Sequence, residues 1–394
     1  MNLRQLFLRH VAQTSEAPLA IDASHAEGIY IHTLSGQKLI DLISGIAVSS
    51  LGHSNPKIVN AVKEQAEKYM HLMVYGEYVE QPQVLLASKL ASILPENLQS
   101  VYFTNSGAEA TEGALKLAKR ASGRSEILYF KNSYHGSTMG ALSVMGDEYF
   151  KRNFRPLIPD CRMLLYNDFE ALKSISTKTA AVIVEAVQGE AGVVKAAPGF
   201  LQSLEKHCKA AGALLILDEI QTGMGRTGSM FRFETEKISP DILLLAKAFG
   251  GGMPLGAFVS SKHLMQKLQH DPFLGHITSF GGHPVSCAAA LASLEFLLEN
   301  QLVEQVEKKG QVFEDLLQDA KIKKINRVGL MIALEFSSFE ENKKIIDQCL
   351  KNGLISDWFL FNNSSMRIAP PLVISTEEIH LSCEIILKSI HEVV

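Results

Sequence analysis

Two predicted strands end in residues that could do chemistry together. The apolar run ALLILD (213–218) ends at Asp218, and the run ILLLA (242–246) is followed by Lys247 and then by three glycines (250–252). Ligands of open α/β sheets bind at the carboxyl ends of the strands, so the acid and the lysine are candidates for one site. Burial lowers the pKa of a lysine toward that of a nucleophilic amine. The pattern favours a Schiff-base lysine, although a strand-end aspartate alone is often a helix cap or a turn residue.

The segment from Asn105 to Glu109 lies between a predicted strand and a predicted helix. Backbone N–H groups and the helix dipole at such a position can bind an anion. The same residues also fit a plain helix start, with Ser106 as the N-cap and Glu109 completing a capping box. Together with Lys247 and Asp218, however, this segment favours a cofactor that carries both a phosphate and an aldehyde.

A literal G-x-G-x-x-G occurs at 223–228. A dinucleotide-binding fingerprint requires a strand directly before it and an apolar helix directly after it. Here residues 218–222 intervene, and the following segment contains Pro240 and no helical apolar stripe. The sequence therefore does not favour a dinucleotide cofactor, and 223–228 is predicted to be a flexible loop.

The elements around these residues alternate between short apolar strands and patterned helices. Strands are predicted at 100–104, 126–130, 163–166, 180–185, 213–218 and 242–246, with helices at 83–94 and 106–121 and one beginning at Ser54-Asn55-Pro56. Nearly continuous apolar strands separated by helices indicate an α/β fold with a mostly parallel sheet covered on both faces. After Gly282, helices at 283–300 and 301–320, strands near 325–336 and 354–368, and a last helix from Thr376 indicate a smaller α+β domain. Hairpin-like material at 21–45 is predicted to join it.

Composition and charge exclude several classes of protein. The 394 residues include 38 Lys and Arg against 42 Asp and Glu, a net charge of −4, so no basic surface for nucleic acid is expected. Five cysteines without a C-x-x-C pair indicate a reducing, cytoplasmic compartment. No metal site is predicted. No membrane span is predicted either, because the most apolar stretch (242–259) contains Lys247. The first residues predict an amphipathic helix with Leu3, Leu6, Phe7 and Val11 facing inward; a targeting presequence is the alternative.

Several longer motifs resemble those of one known family. They are GIAVSSLGHSNP (45–56), TNSGAEATEGALKLAKR (104–120), SYHGST (133–138), VEAVQGEAGV (184–193), LDEIQTGMGRTG (217–228), LLAKAFGGGMPLGA (244–257), SFGGHPVSCAAA (279–290) and MRIAPPL (366–372). In this order they resemble the class III, pyridoxal-phosphate-dependent aminotransferases, most closely the acetylornithine, ornithine and 4-aminobutyrate branch. The resemblance implies fold type I, pyridoxal 5'-phosphate (PLP) as cofactor and a homodimer.

The resemblance also implies roles for individual residues. Lys247 matches the lysine that binds the cofactor covalently and later moves a proton, and Asp218 matches the acid that pairs with the pyridine nitrogen. Gln221 matches the residue bonded to the phenolic oxygen. The remaining matches are the phosphate cup (Ser106, Gly107 and Ala108), the aromatic ring stacked on the cofactor (Tyr134, with His135 beside it) and a hydroxyl that reaches the neighbouring subunit's phosphate (Ser279).

Glu190 and Arg367 match a switch pair of this family. The resemblance implies that Glu190 masks Arg367 while an ω-amine donor is bound, and that Arg367 takes the α-carboxylate of 2-oxoglutarate when Glu190 swings away. Three residues depart from the branch's pattern: Ser137 stands in place of an arginine that grips a donor carboxylate, Ala186 in place of proline, and Ser279 in place of threonine. Only Ser137 puts the identity of the donor in doubt.

The predicted function is transfer of the terminal amino group of an acetylornithine-like donor to 2-oxoglutarate by a ping-pong mechanism. Other donors (ornithine, 4-aminobutyrate, lysine or a diamine), another class III reaction (decarboxylation, racemisation or amino mutation) and a PLP-binding protein without activity are the alternatives. The predicted domains are an N-terminal segment that joins the small domain (1–48), a large PLP-binding domain (49–285) and a C-terminal small domain (286–394).

Overall fold

The computed structural model describes residues 2–393. Met1 and Val394, the outer limits of the predicted domains, lie outside the described residues. The strands in chain order are β1 (Ala23–Glu27), β2 (Tyr30–Thr33), β3 (Lys38–Asp41), β4 (Ser100–Thr104), β5 (Glu126–Phe130), β6 (Cys161–Leu164), β7 (Thr179–Glu185), β8 (Val187–Gln188), β9 (Val194–Lys195), β10 (Leu214–Asp218), β11 (Ile242–Leu245), β12 (Gly256–Ser260), β13 (Lys324–Val328), β14 (Met331–Glu335), β15 (Leu354–Ile355), β16 (Asp357–Phe359) and β17 (Asn362–Ile368). The helices are α1 (Leu3–His10), α2 (Ser44–Ala47), α3 (Pro56–Lys68), α4 (Gln81–Ala91), α5 (Gly107–Ser122), α6 (Met139–Ser143), α7 (Phe200–Ala211), α8 (Arg232–Glu236), α9 (Lys262–Met265), α10 (Pro284–Glu299), α11 (Leu302–Leu316), α12 (Phe339–Lys351) and α13 (Thr376–Val393).

A seven-stranded sheet in the order β4-β12-β11-β10-β7-β5-β6 forms the centre of the molecule. β12 is antiparallel to both of its neighbours, and the other adjacent pairs are parallel. All residues of β7 and β11 are buried, as nearly continuous apolar runs require in a sheet covered on both faces. The α/β prediction is confirmed, but β12 was not predicted and β6 begins two residues before the predicted 163–166.

Helices cover the sheet and carry the segments that face the site. α5 packs against β11 and β12, α7 packs against β7 and β10, and α10 packs against α3 and α4. α3 begins as predicted, with the Asn55 side chain accepting a hydrogen bond from the Lys57 N–H and proline in the first turn. α5 begins one residue after Ser106, which caps it.

A second, smaller region is built from both ends of the chain. The sheet β13-β14-β17-β16 packs against α11 and α12, and α13 packs on these two helices, whereas β1, β2 and β3 form a sheet with β15. β3 and β15 pair in parallel, Ile40 opposite Leu354, and this pairing ties the N-terminal segment to the C-terminal region. The α+β architecture is therefore confirmed, and the boundaries at 48/49 and 285/286 stay a prediction.

Two local expectations are wrong. No residue of α1 is buried: the side chains of Leu3 and Val11 are 63% and 53% exposed, and Phe7 is only partly buried. The segment 223–228 is not a loose loop, because Arg226 is only 1% exposed. Its guanidinium donates to the carbonyls of Leu330 and Pro370 and to the Ser50 hydroxyl, and burial lowers its pKa to about 9.

Residues 2–393 contain no helix that is both long and apolar enough to cross a membrane. Nor do these residues bring three His, Cys, Asp or Glu side chains together in an arrangement that could hold a metal ion.

Candidate active site

A cavity of about 540 Å³ opens at the carboxyl ends of β10 and β11. It lies where ligands of open α/β sheets bind. Nine of the eleven residues singled out from the sequence line it: Ser106, Gly107, Ala108, Tyr134, His135, Glu190, Asp218, Gln221 and Lys247. The structure thus brings together in one place residues that are separated by up to 141 positions in the sequence.

Lys247 lines the cavity two residues after the end of β11. Its backbone lies in the left-handed region, with φ at 50°, and it is the first residue of a short 3₁₀ turn, Lys247–Gly250. Such backbone conformations in residues other than glycine are strained and are common at functional sites. Burial lowers the pKa of Lys247 below its ordinary value, although the nearby Glu190 carboxylate opposes the shift. A lysine of lowered pKa can act as a nucleophile and as a base near neutral pH.

Asp218, the last residue of β10, is held by a buried histidine. Its Oδ2 lies 2.6 Å from Nδ1 of His135, and its Oδ1 accepts a hydrogen bond of 2.9 Å from the Ile220 N–H. The His135 carbonyl accepts a hydrogen bond from the Thr111 hydroxyl on α5, which fixes the loop that carries the ring. His135 Nε2 is buried and has no partner among residues 2–393. Asp218 is therefore held in one orientation at the cavity.

Glu185 is a site residue that sequence reasoning missed. It ends β7 and lies directly opposite Asp218 in the pairing of β7 with β10. Its two oxygens accept hydrogen bonds from the N–H groups of Tyr134 (2.9 Å) and Gly189 (3.0 Å). Burial, together with the charge of Asp218, raises the pKa of Glu185 to about 7. The strand-end argument that selected Asp218 applies equally to Glu185 and would have found it.

The N-terminus of α5 forms another part of the cavity wall. Ser106 caps α5 as predicted and accepts a hydrogen bond from the Glu109 N–H at 3.2 Å. Glu109 accepts from the Asn105 N–H and not from the Ser106 N–H that a capping box requires, so the predicted box is not formed, and anion binding stays a prediction. A Cβ on Gly107 would lie 2.8 Å from the Ile220 side chain, so the helix start packs closely against the β10 end. Exposed N–H groups at this end can bind a phosphate.

Tyr134 and Gln221 also line the cavity. The Tyr134 hydroxyl lies 3.2 Å from the Ser137 hydroxyl at the outer rim. A Cβ added at Gly189 would overlap the side-chain amide oxygen of Gln221, so the Gln221 amide packs directly on the Gly189 backbone.

Glu190 and Arg367 form a buried ion pair beside Lys247. Nη1 and Nη2 of Arg367 donate to the two carboxylate oxygens of Glu190, each at 2.8 Å. The Arg367 side chain is only 3% exposed and the Glu190 side chain only 7%. Glu190 lines the cavity, whereas Arg367 does not. A second acid, Asp357, binds Arg367 Nε at 2.8 Å, and sequence reasoning did not select it. Nothing in the sequence pattern of 357–367 indicates this contact, which depends on hairpin register.

Ser279 is the other residue that does not line this cavity. It is exposed and lies in the segment after α9. Its neighbour Thr278 accepts a hydrogen bond of 3.0 Å from the Asn105 side chain, so the segment lies near the α5 start of its own chain.

Comparisons with known proteins agree with this geometry. The family model for class III aminotransferases matches residues 11–390. Acetylornithine aminotransferases of Archaeoglobus fulgidus and Methanopyrus kandleri are 40% and 39% identical to this chain, over 96% of it and over 98% and 96% of their own lengths. The crystal structure of an ornithine aminotransferase from Toxoplasma gondii superimposes with a TM-score of 0.90 at 30% identity, covering 99% of this chain and 93% of that one.

The chain belongs to the class III aminotransferases. It is a transaminase of the fold-type-I architecture, and its cofactor is PLP. The residues present fit that group: a lysine of lowered pKa, a fixed buried carboxylate and a helix N-terminus surround one cavity, with glycines where close approach is needed. The predicted family, fold and cofactor are confirmed.

Proposed function

We propose that this enzyme moves the terminal amino group of an ω-amino donor resembling acetylornithine to 2-oxoglutarate, in two half-reactions at the same cavity. The donor class comes from the relatives, which are named for acetylornithine. The observation that carries the two-step exchange is the Glu190–Arg367 pair beside Lys247. When the donor places no α-carboxylate near Arg367, the Glu190–Arg367 ion pair stays formed. When a 2-oxo acid is bound, its carboxylate displaces Glu190, because the planar guanidinium of Arg367 can bind either carboxylate through two hydrogen bonds.

PLP, when bound, supplies an aldehyde that takes up the amino group and a ring that takes up an electron pair. We assign the covalent attachment to Lys247, whose amine afterwards carries the proton between the substrate carbon and the cofactor. Asp218, oriented by His135, would keep a proton on the ring nitrogen. Gln221 would donate to the phenolic oxygen, and Tyr134 would stack on the ring. Ser106, Gly107 and Ala108, at the start of α5, would hold the phosphate with backbone N–H groups.

We further propose a homodimer in which Ser279 reaches the phosphate of the neighbouring subunit. Large apolar side chains are exposed on two segments that touch each other, since the rings of His71 and Phe280 lie 4.9 Å apart. These side chains are Met70, Leu72, Tyr78, Val79, Phe273, Leu274, Ile277 and Phe280. An exposed apolar patch of this kind is typical of an interface, and Ser279 lies within it.

A reducing, cytoplasmic location is supported by the cysteines. All five are unpaired, and four of them are buried.

The assignment of Lys247 can be tested by chemistry on the intact holoenzyme. Borohydride reduction followed by peptide mapping should place the pyridoxyl group on Lys247, and a label on any other lysine would overturn the site. A screen of amine donors, followed by the loss of the bound cofactor's absorbance, then identifies the donor. No absorbance change with any ω-amine, but a change with α-amino acids alone, would contradict the proposed donor class.

A further inference from the structure

The guanidinium of Arg367 is bound by carboxylates on two different edges. Glu190 takes the edge formed by Nη1 and Nη2, whereas Asp357 takes Nε at 2.8 Å. The ring of Phe359 lies under the same guanidinium, 4.4 Å from its central carbon, and the Trp358 carbonyl accepts from Nη2 at 3.3 Å. Three consecutive residues of β16 thus contact one side chain of β17.

The two acids differ in how they are attached to Arg367. Asp357 is the direct cross-strand partner of Arg367 in the β16–β17 hairpin, so the two residues move together. Glu190 lies 177 residues earlier, in the segment between β8 and β9, and reaches Arg367 from a separate part of the fold. The Glu190 carboxylate also accepts a hydrogen bond from the Leu360 N–H (3.1 Å), and its backbone carbonyl accepts one from the Phe361 N–H (3.0 Å), both in the β16–β17 turn. Rotation of the Glu190 side chain would break its contacts with Arg367 and Leu360 but leave the backbone contact in place. Asp357 stays opposite Arg367 through the strand pairing.

The exchange proposed above replaces one carboxylate by another. When the carboxylate of a 2-oxo acid takes the place of Glu190, the edge of Nη1 and Nη2 must already face the cavity. An arginine freed from its only partner would lose that orientation, because its long side chain has many rotamers. A second partner that stays bound at Nε retains it.

We propose that Asp357 is a positioning residue, which holds Arg367 ready for the carboxylate of the 2-oxo acid while Glu190 is displaced. This inference rests on the proposed function, which assigns Arg367 to that substrate. Asp357 does not touch the substrate; it acts through Arg367 together with the Phe359 ring.

The test compares Asp357→Ala and Asp357→Asn with a matched control, Asp347→Ala. Asp347 is also ion-paired, to Lys343 on the surface of α12, and lies ten residues earlier. Rapid mixing of the aminated enzyme with 2-oxoglutarate gives its dissociation constant and limiting rate. We expect Asp357→Ala to raise the dissociation constant about tenfold, as for the loss of one partly exposed charged hydrogen bond. The limiting rate and the donor half-reaction should stay within twofold.

Two further readouts separate positioning from general damage. Asp357→Asn should give a smaller increase than Asp357→Ala, because an amide oxygen still accepts from Nε. Calorimetric titration with glutarate, a dicarboxylate that cannot react, should show the same order of affinities. If Asp357→Ala does not fold, Asp357→Asn alone decides, with at least a twofold increase expected.

The inference is overturned if neither variant changes 2-oxoglutarate binding by twofold, or if both half-reactions slow equally. Arg367→Ala is measured in parallel to keep the two proposals apart. Unchanged 2-oxoglutarate binding in Arg367→Ala would overturn the proposed function itself. Weak binding in Arg367→Ala with normal binding in both Asp357 variants would overturn only the role of Asp357.

Discussion

A single substitution at Asp218 can remove the negative charge of the side chain while leaving its shape almost unchanged. Its carboxylate is oriented by His135 and by the Ile220 N–H, and an asparagine can keep the second of these contacts. Asp218→Asn should therefore still bind PLP, but turnover should fall by at least about 100-fold, the lower range for loss of an acid–base group. The measurement is steady-state turnover at matched cofactor occupancy.

Asp241→Asn is the control for this prediction. Asp241 lies directly before β11 and accepts a hydrogen bond from the Leu215 N–H outside the cavity, so its variant should keep most of its turnover. Near-normal turnover in Asp218→Asn would show that this carboxylate does not face the ring nitrogen.

Ser137 is the residue at which we expect the far end of the donor to be recognised. It lies at the rim with the Tyr134 hydroxyl, and a serine cannot replace a charged fork for a carboxylate. Ser137→Arg should improve the ratio of kcat/KM for acetylornithine to that for the native donor by about tenfold. Ser137→Gln, which adds length without charge, should not.

Strong acetylornithine turnover by the unmodified enzyme would contradict this account of Ser137. Another cation would then hold the carboxylate. Arg152, which lies over the Tyr149 ring, and Arg155, which is paired with Glu148, are the nearby candidates in sequence.

The sequence alone identified site residues that lie at the end of a single apolar strand. Asp218 and Lys247 follow long apolar runs, and the structure places both at the cavity. Asp357 could not be found in this way, because its contact with Arg367 depends on the register of β16 against β17. A bulge between Trp358 and Phe359 shifts that register, and local sequence does not reveal it.

At the scale of elements, Glu219 connects the end of β10 to the start of α8. It is buried and accepts hydrogen bonds from the N–H groups of Arg232 and Phe233, both at 2.8 Å. Burial raises the pKa of Glu219 to about 7 from an ordinary 4.5. Between pH 4.5 and pH 7 the Glu219 carboxyl group is protonated in the folded protein but ionised in the unfolded chain. The contribution of Glu219 to the free energy of unfolding is therefore fully present below pH 4.5 and is lost as the pH rises through 7.

Glu219→Gln should remove this pH dependence, because an amide does not titrate in that range. The Tm of the unmodified protein minus that of the variant should decrease from pH 5 to pH 8 by on the order of a few degrees. Thermal unfolding of both proteins across that range measures it, with Glu185 unchanged in each. A difference that is constant with pH would show that Glu219 titrates at its ordinary value.

The elements themselves were predicted where apolar periodicity was unbroken, as in β7, β10, β11 and α5. The antiparallel strand β12 was missed because its residues, GAFVS (256–260), continue the apolar stretch that begins at Ile242. Only the turn around Gly250–Gly252, where Gly251 and Gly252 have positive φ, divides that stretch into two strands. The antiparallel direction of β12 is set by its pairing with β4 and β11. A local sequence pattern does not predict such pairing.

At the scale of the whole molecule, the exposed apolar patch around 70–79 and 273–280 should be the subunit interface. Ile277→Glu places a charge in this patch and should convert the dimer to monomers, with loss of PLP because Ser279 then reaches no neighbouring site. Light scattering after size-exclusion chromatography and the cofactor absorbance measure the two effects. Leu381→Glu is the control, since Leu381 is a similarly exposed apolar residue on α13. A dimer that persists in Ile277→Glu would place the interface elsewhere.

In the proposed reaction one cavity serves two substrates in turn through Glu190 and Arg367. Rapid-mixing spectra of Arg367→Ala, taken separately for each half-reaction, test it most directly. Loss of a bidentate charged contact should slow the reaction with 2-oxoglutarate by on the order of 100-fold. The reaction with the donor should change much less, because in the proposed switch Glu190 stays paired with Arg367 while the donor is bound. Equal losses in the two half-reactions would contradict the switch.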